Sequence, residues 1–292
     1  MRRAVLALVL TTSACTSAIS GTATPLTGNL ALVNAPGTAA ALDAVKTAAE
    51  AVFSYDSANP AAFDQAVAAN VTGAAKDQLT TLFDTIRKTP QPVRLITRVR
   101  QAAALEFTGD RVRELAVLQQ DSGTTKGLAT AAFTAVRTGG RWQLSDLALN
   151  PAQPPPPAPH PDDGSLAGLR DSALAGARTA AGALFTTDSG DPEGSYARAE
   201  AVSAGPLRDD YRAKKATYVD AIRKSGTKVA LGPDPMAGVT TLTGGAATVL
   251  FFTTLKVTGP AGSADRPFTT ELDLTRVGTT WKATAVRTVG AA

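Results

Sequence analysis

Two stretches of the chain carry one hydrophobic pattern. Leu42, Val45, Ala49, Val52 and Phe53 recur 132 positions later as Leu174, Ala177, Ala181, Leu184 and Phe185. Steps of 3, 7, 10 and 11 from the first residue put each set on one face of a 3.6-period helix. The helix ends recur as well, A-A-E-A-V-F-S-Y-D-S over 48–57 against A-A-G-A-L-F-T-T-D-S over 180–189, so that Asp56 returns as Asp188. A helix written twice with the same apolar face predicts one domain written twice.

The first copy opens with a helix over 39–55 that stops before Asn59-Pro60, because the residue before proline avoids the helical region. Shorter helices are expected over 61–69 and 74–88, the last with Leu79, Leu82, Phe83 and Ile86 on one face. The period then changes to two. Val93, Leu95, Thr97 and Val99 alternate with Arg94, Ile96, Arg98 and Arg100, a strand with one apolar and one largely basic face. Strands over 103–107, 111–119, 128–137 and 141–149 follow, separated by Thr108-Gly109-Asp110, Asp121-Ser122-Gly123 and Thr138-Gly139-Gly140. Connections this short predict an antiparallel meander, and helices on one side of such a sheet make an α+β domain.

Seven prolines between Asn150 and Gly164 mark the boundary and predict a polyproline spacer that holds the copies apart. The second copy repeats the plan: a helix over 166–187, Pro192 for Pro60, Gly205 for Gly73, and a third helix about one turn longer. Its strands are expected over 228–231, 239–242, 247–257, 267–277 and 280–289. Trp142 and Trp281 each begin the last strand of their copy, where an indole packs into the core with its N–H at the rim. The expected organisation is a leader over 1–15, a flexible tether over 16–37, domains over 38–150 and 165–292, and the spacer over 151–164.

The leader changes the expected compartment. Arg2-Arg3 precede the apolar run Ala4–Leu10 and the small residues Thr11–Ala14, a secretory signal too short to span a bilayer. Cys15 is the single cysteine of the 292 residues and follows Ser13-Ala14 at the place of a bacterial lipobox cysteine, although Thr12 stands where that pattern has Leu, Val or Ile. Lipidation at Cys15 is expected, with a signal cut near Ala14 as the alternative; either way the protein lies outside the cytoplasm, lipid-anchored or secreted. The formal charge of +4 includes Arg2 and Arg3 of the leader, which leaves too small an excess to point to nucleic acid.

The A-A-x-A-[VL]-F-[ST]-x-D-S helix end, the later helix closing in D-x-I-R-K (Asp84–Lys88 and Asp220–Lys224) and the G-x-x-W hairpin resemble the NTF2-like domains of actinobacterial Mce-associated proteins. The resemblance implies two tandem cone-shaped domains, helices on a curved antiparallel sheet, in a non-catalytic extracytoplasmic accessory of an Mce-type lipid importer. The chain departs from the family in carrying a cysteine-ended leader in place of a transmembrane helix, and two domains in place of one.

The residues offer little catalytic chemistry. The single histidine, His160, lies in the spacer, and no cysteine other than Cys15 is present, so neither domain can build a histidine dyad, a zinc site or a thiol centre. Asp56 and Asp188 precede Ser and Gly or Asn in the manner of turn caps. The Arg87-Lys88 and Arg223-Lys224 pairs sit where cations meet the negative end of a helix. No catalytic, cofactor or metal residues are therefore expected. Two functions remain: an envelope lipoprotein that binds a protein complex, and a carrier or sensor holding an apolar small molecule or lipid in a cone lined by residues such as Phe53, Phe185, Phe251 and Trp281. Replacing Cys15 by Ser is expected to move the protein from the membrane to the soluble fraction without unfolding it; unchanged membrane association on cell fractionation would remove the lipid anchor.

Overall fold

The computed structural model describes residues 29–149, 151, 164–233 and 235–289 and shows an α+β protein. The first repeat runs α1 (Ala35–Val52), β1 (Tyr55–Asp56), α2 (Pro60–Asn70), α3 (Ala74–Arg87), then β2 (Arg94–Phe107), β3 (Arg111–Asp121), β4 (Lys126–Thr138) and β5 (Arg141–Leu149). The second runs α4 (Leu166–Phe185), β6 (Thr187–Asp188), α5 (Pro192–Ala201), α6 (Gly205–Ala213), α7 (Lys215–Ser225), then β7 (Lys228–Leu231), β8 (Met236–Leu242), β9 (Ala246–Gly259), β10 (Gly262–Val277) and β11 (Thr280–Thr288). The named strand pairings are antiparallel, and the main sheet is ordered β11-β10-β9-β8-β2-β3-β4-β5.

Local chemistry sets the helix starts. Asn34 caps α1 by accepting the Gly37 N–H at 3.0 Å, Ser165 caps α4 through Gly168 at 3.0 Å, and Asp191 caps α5 through Gly194 at 3.0 Å. Pro60 and Pro192 open α2 and α5, where the missing N–H costs nothing. Gly73 and Gly205 enter the next helices at φ 58° and 51°, the left-handed region that a side chain disfavours.

The repeated apolar stripe is the inner face of the repeated helix. Ala41, Val45, Ala49 and Val52 of α1, and Ala173, Ala177, Ala181 and Leu184 of α4, are all buried. Phe53 lies at the centre of an aromatic cluster, 6.5 Å from Phe83 and 5.8 Å from Phe133, with Phe63 4.5 Å from Phe83. Phe185, its counterpart, is only half-buried and packs edge-on against Phe268 at 4.9 Å.

Four expectations are corrected. The tether ends before residue 37: the Leu30 N–H donates to Phe107 O at 2.6 Å, Asn29 Nδ2 donates to Leu105 O at 3.0 Å, and Ala31 is buried, because Leu30 and Leu32 find apolar cover on the two cores. The two strands expected over 93–107 are one, carried through a bulge between Val99 and Gln101. The long third helix of the second repeat breaks at Lys214 into α6 and α7. The copies are not held apart. The face of β3 turned away from the helices presents Leu115 and Val117 which, with Ala103, pack against Met236, Leu250 and Phe252 of the second repeat. Here Gly238 lets β8 meet β2, paired through Ala104 and Val239: a Cβ at 238 would stand 2.7 Å from the Ala103 Cβ. The proline spacer over 151–164 lies, but for Pro151 and Gly164, outside the described residues.

The unequal burial of the two phenylalanines predicts unequal costs. Phe53→Ala should destabilise the protein by about 3–5 kcal/mol, and Phe185→Ala by clearly less, since its ring already meets solvent. Chemical denaturation of the two variants checks the order; equal losses would mean that Phe185 is as deeply packed as Phe53.

Candidate functional site

The residues nominated by the sequence are engaged in structure. Asp56 Oδ1 accepts the Ala58 N–H at 2.9 Å, and its carboxylate stands 3.8 Å from Arg94. Asp188 Oδ1 accepts the Gly190 N–H at 2.9 Å, and Lys228 lies 3.1 Å away. That backbone hydrogen bond, followed by Lys228, holds the Asp188 carboxyl below the usual carboxylate range. Both aspartates are turn caps that also pin β1 to β2 and β6 to β7. The basic pairs are equally occupied: Arg87 bonds Asp64 and lies over the Phe63 ring, Lys88 bonds Asp84 at 2.7 Å, Arg223 bonds Glu193 at 2.6 Å and Lys224 bonds Asp220 at 2.6 Å. Cys15 and His160 lie outside the described residues. Among those residues no cluster of three metal-ligating side chains occurs, and no helix is long and apolar enough to cross a membrane.

The helix-facing side of the first sheet is packed with its own side chains. Phe53, Phe63, Phe83 and Phe133 fill it together with Val112, Ala116, Leu118 and Leu144. On the corresponding side of the second repeat Phe251 and Trp281 are buried, and the Trp281 indole N–H donates to Ser172 Oγ at 3.0 Å. Phe185 stays at the edge. Above this second core α5, α6 and α7 bring three tyrosines together. Tyr196 donates to Tyr211 O at 3.2 Å, Tyr218 donates to Asp210 at 2.8 Å, and burial pushes the Tyr211 hydroxyl up to about 12.

One ionisable group departs from this pattern, and the sequence reading passed over it. Glu114 is fully buried on β3, on the same face as Val112, Ala116 and Leu118, between Ala104 of β2 and Phe133 of β4. Neither carboxyl oxygen has a hydrogen-bond partner. Burial pushes its carboxyl well above the usual carboxylate range, and Asp43 on α1 adds to the rise. The pairing registers put Val249 of β9 at the equivalent place, since Glu114 faces Phe133 and Val249 faces Leu272. The second repeat thus fills with a methyl-bearing side chain the position that the first fills with an acid. The signal was present in the alternation: Glu114 falls on the inward parity of a strand whose other inward residues are apolar.

No family model matches the chain, and no curated protein matches it. Among solved structures, a periplasmic fragment of TraM aligns at a TM-score of 0.32 and 14% identity, over 41% of this chain and 97% of that one. An Ntf2 like protein involved in plasmid conjugation aligns at 0.27 and 10% identity, over 86% and 96%. A cystatin-like protein from Ruminococcus gnavus ATCC 29149 aligns at 0.22 and 11% identity, over 88% and 86%. Likenesses this slight carry no functional conclusion.

Glu114 predicts a pH dependence of defined sign. A carboxyl with a raised folded-state pKa keeps its proton in the folded protein while the unfolded chain loses it above about pH 4.3. Its contribution therefore favours folding at acid pH and is lost as pH rises from there towards the folded-state pKa. Glu114→Gln should leave stability near pH 4 little changed and make the protein more stable than the wild type at pH 7, by about 1.4 kcal/mol for each unit of the rise. Denaturation curves of both proteins at the two pH values check this; a variant less stable at pH 7 would mean that the carboxylate has a partner.

Proposed function

We propose that the chain is a non-catalytic accessory protein of the cell envelope, carried outside the cytoplasm by its leader, held to the membrane through Cys15, and acting by binding a protein complex. The observation that supports this most directly is the filled first core, where aromatic rings within 4.5 to 6.5 Å of one another occupy the space in which an NTF2-like cone would hold a substrate. The aspartates repeated at the helix ends support it too, since each is spent on a turn and on an ion pair. An Mce-type lipid importer is the partner implied by the family resemblance. The packed join between the repeats suits the role, because a body with its two halves fixed presents both outer helical layers in constant relation.

The competing reading is a carrier with an apolar ligand inside a cone. The aromatic packing of the first repeat disfavours it there, and the half-buried Phe185 beside Phe268 leaves the second repeat as its better location.

Affinity capture of the tagged full chain from detergent-solubilised envelope membranes tests the proposal. Enrichment of importer subunits, retained in Glu114→Gln, is the expected result. Recovery of the chain alone, with native mass spectrometry showing a bound apolar ligand that Phe185→Trp displaces, would replace the scaffold by the carrier.

A further inference from the structure

The contact between the repeats does not stay dry along its length. On β3 the side chains facing the second repeat run Leu115, Val117 and then Gln119, and on β2 they run from Ala103 back to Gln101. The apolar members sit in the shared core. Gln101 and Gln119 line a cavity of about 650 Å³ beyond it, walled by β2, β3 and β4 of one repeat and by β10, β11 and Val289 of the other. Thr130 and Thr269, with hydroxyls 2.6 Å apart, bridge β4 and β10 next to Leu128 and Glu271 of the cavity wall. The volume lies within the roughly 300–1,000 Å³ of small-molecule pockets, and a position between two packed units is a common one for them.

Three properties of the lining define a ligand. Its charge is positive where charge is free: Arg100 is exposed with no ionic partner among the described residues, and Lys126 meets Asp121 only at 3.7 Å and in solvent. On the opposite wall Glu271 is neutralised by Arg287 at 3.3 Å, which Asp273 also grips. The Gln101 amide oxygen is buried without a hydrogen-bond partner, an acceptor that a ligand hydroxyl would satisfy. Beside these polar groups lie Leu128, 44% exposed, and Val289, which continues the shared apolar core into the cavity.

We propose that this inter-repeat cleft binds a single-chain amphiphile with an anionic, hydroxyl-bearing head, the chemistry of a lysophospholipid. The head meets Arg100 and Lys126, its hydroxyl donates to Gln101, and its acyl chain covers Leu128 and Val289. The site lies on the faces of the sheets turned away from the helices, and so is distinct from any ligand held in a cone.

The test is calorimetric titration of the purified full chain with oleoyl lysophosphatidylglycerol below its micelle concentration, beside uncharged monooleoylglycerol as control. One equivalent of the lysophospholipid is expected to bind, at least about tenfold more tightly than the control. Arg100→Glu and Leu128→Glu, both at exposed positions, should each weaken binding by about tenfold or more with the melting temperature unchanged; Lys126→Glu replaces either variant if its melting temperature falls. Absence of saturable binding, equal affinity for the uncharged control, or unaltered affinity in the folded variants would overturn the proposal.

Discussion

The packing of the two halves of the sheet against each other, through the faces turned away from their helices, is the contact on which the rest of the molecule depends. Each repeat has a helix-covered face of its own, and a curved sheet covered on one side would leave Leu115, Val117, Leu250 and Phe252 in water on the other. Burying large apolar side chains is worth about 1.5–3 kcal/mol each, so the exposed backs find cover in one another. The join also needs a close approach, which Gly238 supplies by having no Cβ against Ala103. A polypeptide clasp reinforces it. The segment Asn29–Leu32 is held from both sides by residues at the same place in the repeated helix: Thr38 Oγ1 accepts the Leu32 N–H at 3.2 Å, and Arg170, 132 positions later, donates to Asn29 O at 2.8 Å and Ala31 O at 2.9 Å. Arg170 is buried, and Asp171 at 2.8 Å supplies the countercharge without which the site would be costly.

Much of this architecture was legible in the residues because period and repetition are local properties. The apolar stripe of α1 and α4, the turns of the meander and the capping character of Asp56 and Asp188 depend on neighbours within a few positions, and the structure places them accordingly. What escaped the sequence depends on contacts across the chain. A proline-rich spacer suggests separation, yet nothing in its composition registers that Leu115 and Leu250 share one core. The segment 29–34 follows a stretch rich in Ser, Thr and Gly and is too short to show a period, so it reads as the end of a tether until Phe107 O and Arg170 are seen to hold it. Glu114 was visible as an inward-facing acid, but its lack of a partner is a three-dimensional fact.

The duplication supplies an internal control, because two copies of one plan have packed the same positions differently. Where both keep an apolar residue, as at Val45 and Ala177, the position serves the fold. Where they part, the fold dictates neither the residue nor its burial: Glu114 stands against Val249, buried Phe53 against half-buried Phe185, and half-buried Trp142 against Trp281 with its indole bonded to Ser172. The first repeat has invested in a sealed aromatic interior. The second has a tyrosine cluster and a broken third helix above its core, and so differs from the first most on its helical side.

These constraints narrow where recognition can occur. The helix-covered face of the first sheet is closed by its own rings, and the central part of the opposite face is closed by the second repeat. The cations ending α3 and α7 are matched by Asp64, Asp84, Glu193 and Asp220, so the helix ends offer little free charge. The outward strip of β2 stays open, with Arg94, Ile96, Arg98 and Arg100 exposed, and it leads to the cleft. Arg94 and Arg98 each have a carboxylate nearby, at 3.8 Å and 3.4 Å, whereas Arg100 has none among the described residues. Free positive charge on this strip therefore rises towards the join between the repeats, which is where the anionic head of the proposed ligand would sit.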